Sequence, residues 1–598
     1  MQNPVQTSIG NHSAARIAAI RDRMARAGLS GFLVPRVNAH RGEWVPQCDD
    51  RLNWLTGFTG SMGLCVVATE HAALFVDGRY TVQAKQQADG TIFEILEFNQ
   101  AGITSWITNT VENDCQIGFD PWLHTKFEIE RQQKGLSSAA ITLRRTENPI
   151  DAIWSDRPDP PRPEVCGYPD SHAGESSTSK RQRMAEQIRL AGADAAVLTL
   201  PDSIAWLLNI RSSDLPNSPV ALAFAVLTTE GKVTLYLDLP RKFSTDAKTG
   251  PDIRPKADFI RGLAETGNTV LVDPKTAPLL VLDRLQELGR SVIEGADPCI
   301  LAKAIKNQTE IASTKVAHRR DGAALAEFLA WLDSRDPSEK VTEMDIVEAV
   351  DGFRRKTGYL RSPSFSTIAA SGPNAAIVHY SVSPASNRTL SQGELLLVDS
   401  GGQYLDGTTD VTRTIAIGDP SREFQTCFTR VLKGLIAVAR ARWPRGRAGH
   451  HLDAIARYHL WLAGQDFDHG TGHGVGHYMN VHEGPQAIGP NSGSEILPGM
   501  ILSIEPGYYR EEEFGIRIEN LAVVAQVPPA DVDNNRSMLE FHNLTWAPID
   551  RRLILVDMLT IEERQWIDQY HRRVLDEIKD CCSETTAVWL QKVCAQLV

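Results

Sequence analysis

Two apolar runs in the second half of the chain end in a carboxylate, and each is followed by a turn and a second β-prone run bearing another. Glu394 to Asp399 (ELLLVD) leads, after SGGQY, to Thr408 to Ile417 with Asp410; Ile501 to Glu505 (ILSIE) leads to Phe514 to Glu519 (FGIRIE). Runs of this length and composition read as short strands. The Gly401-Gly402 pair is expected to let the first of them double back. Burying an acid at the end of such a strand costs several kcal/mol unless it is paired or bound to a cation. A strand end facing water or a salt bridge would explain any one of these acids, but four of them flanking a histidine-glycine segment point to one shared centre with positive charge between them.

Between the two pairs lies His469-Gly470-Thr471-Gly472-His473-Gly474-Val475-Gly476-His477. Its glycines are expected to permit close backbone approach and positive φ, turning an imidazole inward. One of these histidines then supplies a nitrogen ligand. Four carboxylates against two dications leave a nearly neutral cluster, and oxygen-rich ligation suits Mn²⁺, Co²⁺ or Mg²⁺, with Zn²⁺ also compatible. The residues on their own thus point to a two-metal hydrolase. His450 and His451 read as an exposed loop pair, and His477 as a cap of its own loop.

The frame around this site follows from size and charge. A chain of 598 residues exceeds what one core supports, so two to four domains are expected. A net charge of −12 offers no basic surplus for phosphates, which excludes a nucleic-acid partner. Nine cysteines without a CxxC indicate reduced, intracellular usage. The first thirty residues lack the apolar core of a signal peptide, and no stretch approaches the roughly 20 apolar residues of a membrane span. A soluble cytoplasmic protein is expected, with no membrane partner.

The first half repeats itself. A helix ending MARAG and a strand GFLVP (Gly31 to Pro35) recur as QIRLAG and AAVLTLP (Ala195 to Pro201). LNWLTG (Leu52 to Gly57) is echoed by IAWLLN (Ile204 to Asn209), and AALFVDGRY (Ala72 to Tyr80) by VTLYLDLPR (Val233 to Arg241). Alternating helices and short strands indicate a small α/β domain in tandem duplicate. Pro158, Pro160, Pro161 and Pro163, running into Ser-rich Gly174 to Lys180, read as a linker. A third domain opens with a helix capped by Asn307, with Glu310 three residues on, and a second helix capped by Thr342. Beyond a Pro/Asp/Asn-rich loop (Pro528 to Arg536), two helices, Ile561 to Lys579 and Thr585 to Gln596, are expected to pack on the third domain or on a partner subunit.

The segments SGPNAAIVHY (Ser371 to Tyr380), VDSGGQYLDGTTDVTRT (Val398 to Thr414), HGTGHGVGHYMNVHEGP (His469 to Pro485), SIEPGYY (Ser503 to Tyr509) and GIRIEN (Gly515 to Asn520) closely resemble aminopeptidase P, the Xaa-Pro aminopeptidases. These belong to the creatinase, prolidase and methionine aminopeptidase group. The joins DAIWSDRP (Asp151 to Pro158) and AKAIKN (Ala302 to Asn307) extend the resemblance to the long, three-domain cytosolic form.

The resemblance implies an α/β (α+β) chain: two creatinase N-terminal-like domains, 1–157 and 158–305, then a pita-bread catalytic domain, 306–598, with a helical extension from about 540. It places metal ligands at Asp399, Asp410, His473, Glu505 and Glu519, Asp410 and Glu519 bridging two ions, most simply Mn²⁺, with Zn²⁺ or Co²⁺ as substitutes. Glu505 would be the general base of a hydroxide-driven hydrolysis. His379, His469 and His482 would orient substrate, bond the scissile carbonyl or shuttle protons, with His482 nearest the carbonyl role. Tyr509 and Arg517 would hold ligands and intermediate. Arg51 falls near the substrate entrance, with a surface salt bridge as the competing reading. The implied substrates are peptides with proline second, bound through a pocket for the pyrrolidine ring, and the implied assembly is a homodimer paired through the third domain.

Related activities remain open at this point. Methionine aminopeptidases have little before the catalytic domain, and prolidases lack the second N-terminal copy. Metal-free relatives on this fold, creatinase among them, would carry substitutions among the five ligands, and this chain carries none.

Overall fold

The computed structural model describes residues 9–244, 250–336, 338–528 and 536–597. They form two compact units, Met1–Asp170 with Glu175–Ile300, and Ser171–Gly174 with Leu301–Val598. Most of the Pro/Asp/Asn-rich loop, 529–535, lies outside the described residues.

The first unit holds the repeat. Its first six strands are β1 (Gly31–Pro35), β2 (Gly63–Ala68), β3 (Ala72–Val76), β4 (Glu94–Glu97), β5 (Gln116–Phe119) and β6 (Thr142–Arg145). They form one sheet in the order β4-β3-β2-β1-β5-β6. Strands β7 (Ala195–Leu198), β8 (Ala223–Thr228), β9 (Val233–Leu237), β10 (Pro251–Pro255), β11 (Thr269–Val272) and β12 (Ser291–Glu294) form a second, in the order β10-β9-β8-β7-β11-β12. The two orders are the same, and so are the directions. β1-β2-β3 and β7-β8-β9 pair antiparallel, and the remaining neighbours pair parallel. The prolines at 158–163 lie in irregular backbone as expected. The serines after them do not: Ser176 caps a helix, Ser177–Leu190, by accepting from Ser179 N. A serine cluster serves a helix start as readily as a linker.

The second unit opens with α1 (Gln308–Asp333) and α2 (Glu343–Lys356), each begun by a capping box, Asn307 with Glu310 and Thr342 with Asp345. Three antiparallel strands follow in the order β13-β14-β17: β13 (Ile368–Ser371), β14 (Leu395–Ser400) and β17 (Val411–Ala416). Leu396 and Val398 of β14 face Leu325 and Phe328 of α1 and Ile346 and Val350 of α2. Alternation therefore sends Leu395, Leu397 and Asp399 to the opposite face.

The chain does not double back at Gly401-Gly402. It reverses between β15 (Gly402–Tyr404) and β16 (Gly407–Thr408). Gly401 is needed for space, because a Cβ there would collide with the Thr409 carbonyl beside Asp410.

Six of the remaining strands, the first of them lying between α3 (Arg422–Ala439) and α4 (His450–Trp461), form a sheet in the order β18-β25-β24-β21-β19-β20. Its members are β18 (Arg442–Pro444), β19 (Gly472–Gly474), β20 (Glu483–Ile488), β21 (Ile501–Ile504), β24 (Asn520–Gln526) and β25 (Met538–Asn543). Between β21 and β24 projects a hairpin of β22 (Gly507–Arg510) and β23 (Phe514–Arg517). The C-terminal helices α5 (Ile561–Ile578) and α6 (Glu584–Val593) drive Ile567, Val574, Ile578 and Leu590 into the core built by Leu502, Ile504, Ile516 and Ile518. Each such side chain contributes roughly 1.5–3 kcal/mol by burial. The tail is thus part of the second unit's own core. No helix among the described residues is long and apolar enough to cross a membrane.

Two buried histidines in this unit are kept neutral. Burial, with Arg551 and Arg413 nearby, pushes His571 down to about 3, and burial pushes His318 down to about 4. Their charged forms are tolerated only after unfolding, so stability is fully present above the ordinary histidine value and is lost as pH falls towards the folded values. The melting temperature of the unit should drop from about pH 6.5 towards pH 4, less steeply in His571→Gln. An unchanged slope in that variant would remove His571 from the account.

Candidate metal centre

The four acids meet because of strand register. Asp399 on β14 lies opposite Thr412 on β17, and Asp410 immediately precedes β17. In the six-stranded sheet Ile504 pairs with Asn520, which leaves Glu505 and Glu519 at the same end of adjacent strands. The two sheets are stitched at this point: Glu519 N donates to Thr412 O (3.1 Å), and Thr412 Oγ1 donates to Glu519 Oε2 (2.8 Å). Arg413, buried, ties the seam from the other face, donating to the carbonyls of Thr412 (2.8 Å), Glu519 (2.7 Å) and Pro548 (3.0 Å).

The Gly/His segment enters as β19, wedged between β20 and β21 with a register shift at His473/Gly474. Its glycines act by close approach alone. A Cβ at Gly472 would strike the Ser503 carbonyl and one at Gly474 the Glu483 carbonyl, and none of Gly470, Gly472, Gly474 and Gly476 takes positive φ. His473 is fixed at both ends: Ser503 Oγ accepts from its N–H (2.9 Å), and its Nδ1 bonds Gly474 O (3.0 Å). A carbonyl only accepts, so Nδ1 carries hydrogen and Nε2 is turned to the acids. Nε2 lies 3.5 Å from Asp410 Oδ2 and 3.4 Å from Glu505 Oε1.

Donor atoms of Asp410, His473 and Glu519 lie within 4.8 Å of one another. Burial, and then the charges of Asp399 and Glu505, push Asp410 up to about 6, although its bond to His473 opposes this. Glu519 is driven well above the usual carboxylate range by burial and by Asp410, Glu505 and Asp399. One guanidinium touches the group: Arg517 donates to Asp399 Oδ2 (2.6 Å). Asp399 Oδ1 and Glu519 Oε1 are buried and without a hydrogen-bond partner. Two inward-facing orphan oxygens, four mutually repelling acids and an imidazole nitrogen form a donor set that suits divalent cations.

The neighbouring groups form one chain. Arg517 Nη1 donates to Tyr509 OH (2.7 Å), and Tyr509 OH lies 2.8 Å from His469 Nε2. His469 Nδ1 bonds Gly470 O (2.8 Å), so Nε2 accepts the Tyr509 proton. Burial pushes Tyr509 up to about 12, which keeps that proton in place. The His482 ring stands 4.2 Å from the His473 ring, edge to face. Half-buried His379 follows the 3₁₀ turn Gly372–Ala376; its neighbour Tyr380 belongs to an apolar cluster with Leu397, against which Tyr509 packs.

The family-model comparison matches "Metallopeptidase family M24" at 312–526 and the C-terminal region of peptidase M24 at 537–597. Two models of the "Creatinase/Prolidase N-terminal domain" match at 16–153 and 156–310. A probable Xaa-Pro aminopeptidase P of Laccaria bicolor is 35% identical over 608 residues, 98% of this chain and 94% of that protein. That of Talaromyces marneffei is 36% identical, over 97% and 92%. The chain belongs to the aminopeptidase P group of metallopeptidase family M24. Among solved structures, the X-prolyl aminopeptidase of Caenorhabditis elegans, described as a cytosolic enzyme with a di-nuclear active site, aligns with a TM-score of 0.92 and 33% identity. That alignment covers 98% of this chain and 100% of the nematode one. Dipeptidase PepE of Mycobacterium ulcerans aligns with a TM-score of 0.50 and 25% identity over 64% of this chain.

Several features of this aminopeptidase P chain differ from their sequence reading. Arg51 is itself buried in the first unit, while Asp151, onto which it forks (2.6 and 2.9 Å), is exposed. His450 and His451 are exposed as expected, but they begin α4 and are not in a loop. His477 is buried and bonds Thr314 of α1 through Nδ1 (3.0 Å), reaching across the unit instead of capping its own loop. Sequence reasoning passed over the buried groups behind the site. Arg354 clamps Asp321 (2.8 and 3.1 Å) and donates to Ser400 O beside Asp399 (3.3 Å). Lys303 (2.9 Å) and Lys306 both close on Glu483, next to His482. Lone arginines and lysines distant in sequence carry no local signal.

Without metal, the His473 proton occupies the ligand direction. Burial alone would lower this ring, but its bond to Asp410 and the charges of Glu505 and Asp410 hold it up at about 9. That stabilisation is present below the ordinary histidine value and is lost as pH rises through the folded one. In chelator the melting temperature should fall between about pH 6.5 and 9, and saturating Mn²⁺ should flatten the slope by replacing the proton. Equal slopes with and without metal would contradict this arrangement.

Proposed function

We propose that this chain is a dinuclear metallo-aminopeptidase that removes the N-terminal residue from peptides with proline in second position. Full-length similarity to the Xaa-Pro aminopeptidases supports the substrate class, and the convergence of four acids on His473 with two orphan carboxylate oxygens carries the metal reading. Asp399, Asp410, His473, Glu505 and Glu519 would hold the ions, Asp410 and Glu519 being shared, and Mn²⁺ is the proposed metal. Ions bound there lower the proton affinity of a water molecule, polarise the scissile carbonyl and offset the negative charge that develops on it.

The side chains do the rest. Glu505 Oε1, held by Ser503 Oγ (3.1 Å), takes a proton from the attacking water and passes it towards the leaving proline nitrogen. The peptide's free α-amino cation is drawn to the excess of carboxylates. His482, packed edge to face on His473, bonds the scissile carbonyl, and His379 orients the substrate. His469, Tyr509 and Arg517 form one hydrogen-bonded line ending on Asp399, so the position of that ligand is coupled to the histidine at the other end.

The domain bounds 1–157, 158–305 and 306–598 accord with the two repeated sheets and the M24-matching region. A cytoplasmic setting is supported by the described nematode relative. A homodimer paired through the third domain is supported by exposed Ile455, Tyr458, Trp461 and Leu462 on and beside α4.

Purified protein reconstituted with Mn²⁺ should release arginine from Arg-Pro-Pro and lose activity in chelator. Release of proline from Gly-Pro without cleavage of the tripeptide would favour a prolidase-type dipeptidase. Asp410→Ala and Glu519→Ala should each lose metal and fall by at least about 10³-fold in kcat, whereas His379→Ala should keep its metal and lose about 10²-fold. Metal loss in His379→Ala would show that this histidine has been misassigned.

A further inference from the structure

Glu343, the first residue of α2, is a buried carboxylate with no place in the mechanism above. It is 0% exposed, and among the described residues it forms no ion pair. Hydrogen bonds compensate the charge instead. Oε1 accepts from Ser371 N (2.7 Å), Ser371 Oγ (2.9 Å) and Asn374 Nδ2 (3.0 Å). Oε2 accepts from Tyr380 OH (2.9 Å), Arg388 N (3.1 Å) and Asn374 Nδ2 (3.0 Å). The N-terminal turn of α2 adds the positive end of a helix dipole.

Every one of those donors lies in a single stretch, Ser371 to Arg388, and that stretch carries His379. Glu343 N also donates to Arg388 O (2.9 Å), closing the far end. Ser371 is the last residue of β13, whose partner β14 bears Asp399. At the centre, Tyr380 is pinned twice, at its hydroxyl by Glu343 and at its ring by the cluster containing Leu397, against which Tyr509 packs. The residue next to His379 thus has neither end free. A carboxylate that only stabilised the fold would be expected to take a cation or to bond to scattered elements. This one gathers a single loop, which leaves β13 at Ser371, and anchors it to the start of α2.

We propose that Glu343 is a positioning residue: by accepting from Ser371, Asn374, Tyr380 and Arg388 it sets the loop that presents His379 to substrate. The proposal rests on the assignment of His379 made above. An amide at position 343 would turn an NH₂ group towards donors that need an acceptor, loosening the loop without touching the metal ligands.

The test is a double-mutant cycle with loop exchange as a second readout. Glu343→Gln should lower kcat for Arg-Pro-Pro by about 10-fold or more, with KM within about threefold and metal content unchanged. In the His379→Ala background the same substitution should cost less than about twofold further. Amide hydrogen exchange in 371–388 should quicken by about 10-fold or more, with the rest of the catalytic unit unchanged. Tyr380→Phe, which keeps the carboxylate and removes one donor, should give a smaller change of the same kind and carries the test if Glu343→Gln does not fold. Multiplicative losses in the double variant, or exchange unchanged in 371–388 or raised throughout the unit, would overturn the proposal. If the wild type leaves Arg-Pro-Pro intact, the functional reading fails and exchange alone decides the role of Glu343.

Discussion

Mutual repulsion among four buried acids is the constraint around which the catalytic unit is organised. Asp399, Asp410, Glu505 and Glu519 arrive from two different sheets, and the charges of Asp399 and Glu505 add to burial in making Asp410 and Glu519 harder to ionise. One guanidinium and one imidazole are too little countercharge for them. The fold nevertheless forces them together, since the pairing of β14 with β17 and of β21 with β24 leaves each acid at a defined strand position. Such a cluster stores unfavourable electrostatic energy in the metal-free protein, and that energy becomes affinity when cations enter.

Holding the acids in place falls to the side chains around them. Thr412 and Ser503 each fix one carboxylate oxygen, Arg517 fixes Asp399, and Arg413 closes the seam between the sheets with four carbonyl contacts. Arg354 adds a bond to the carbonyl beside Asp399. Each fixes one carboxylate oxygen or a nearby carbonyl and leaves other carboxylate oxygens open, the pattern by which a preorganised site keeps its donor groups from turning away. On this view the two N-terminal sheet domains and the catalytic unit share one chain but answer to different demands, core packing in the first and charge management in the second.

The sequence announced the acids because each interrupts an apolar run, and it announced α1 and α2 because their capping boxes are local. The duplicated domain was legible for the same reason, as a helix-strand pattern recurring in the same order. What escaped were effects of distance and space. Gly401 looked like a turn and is a clearance between strands; of the two roles expected for the glycines around His473, close backbone approach holds and positive φ does not. Lys306 reaches Glu483 across 177 positions, and Arg354 reaches Asp321 across 33. A single arginine or lysine in such a place looks like any surface charge until the fold brings its partner. Glu343 is the extreme case, a glutamate in an ordinary helix start whose bonds all lead to one loop.

The central claim is that these five side chains hold two ions with Asp410 and Glu519 shared between them. Anomalous diffraction at the manganese edge from Mn²⁺-loaded crystals tests it without reference to any substrate. Two peaks are predicted in each chain, with His473 bonded to one of them and both Asp410 and Glu519 bonded to both. A single peak, or two peaks with either of those carboxylates bonded to only one, would contradict the account.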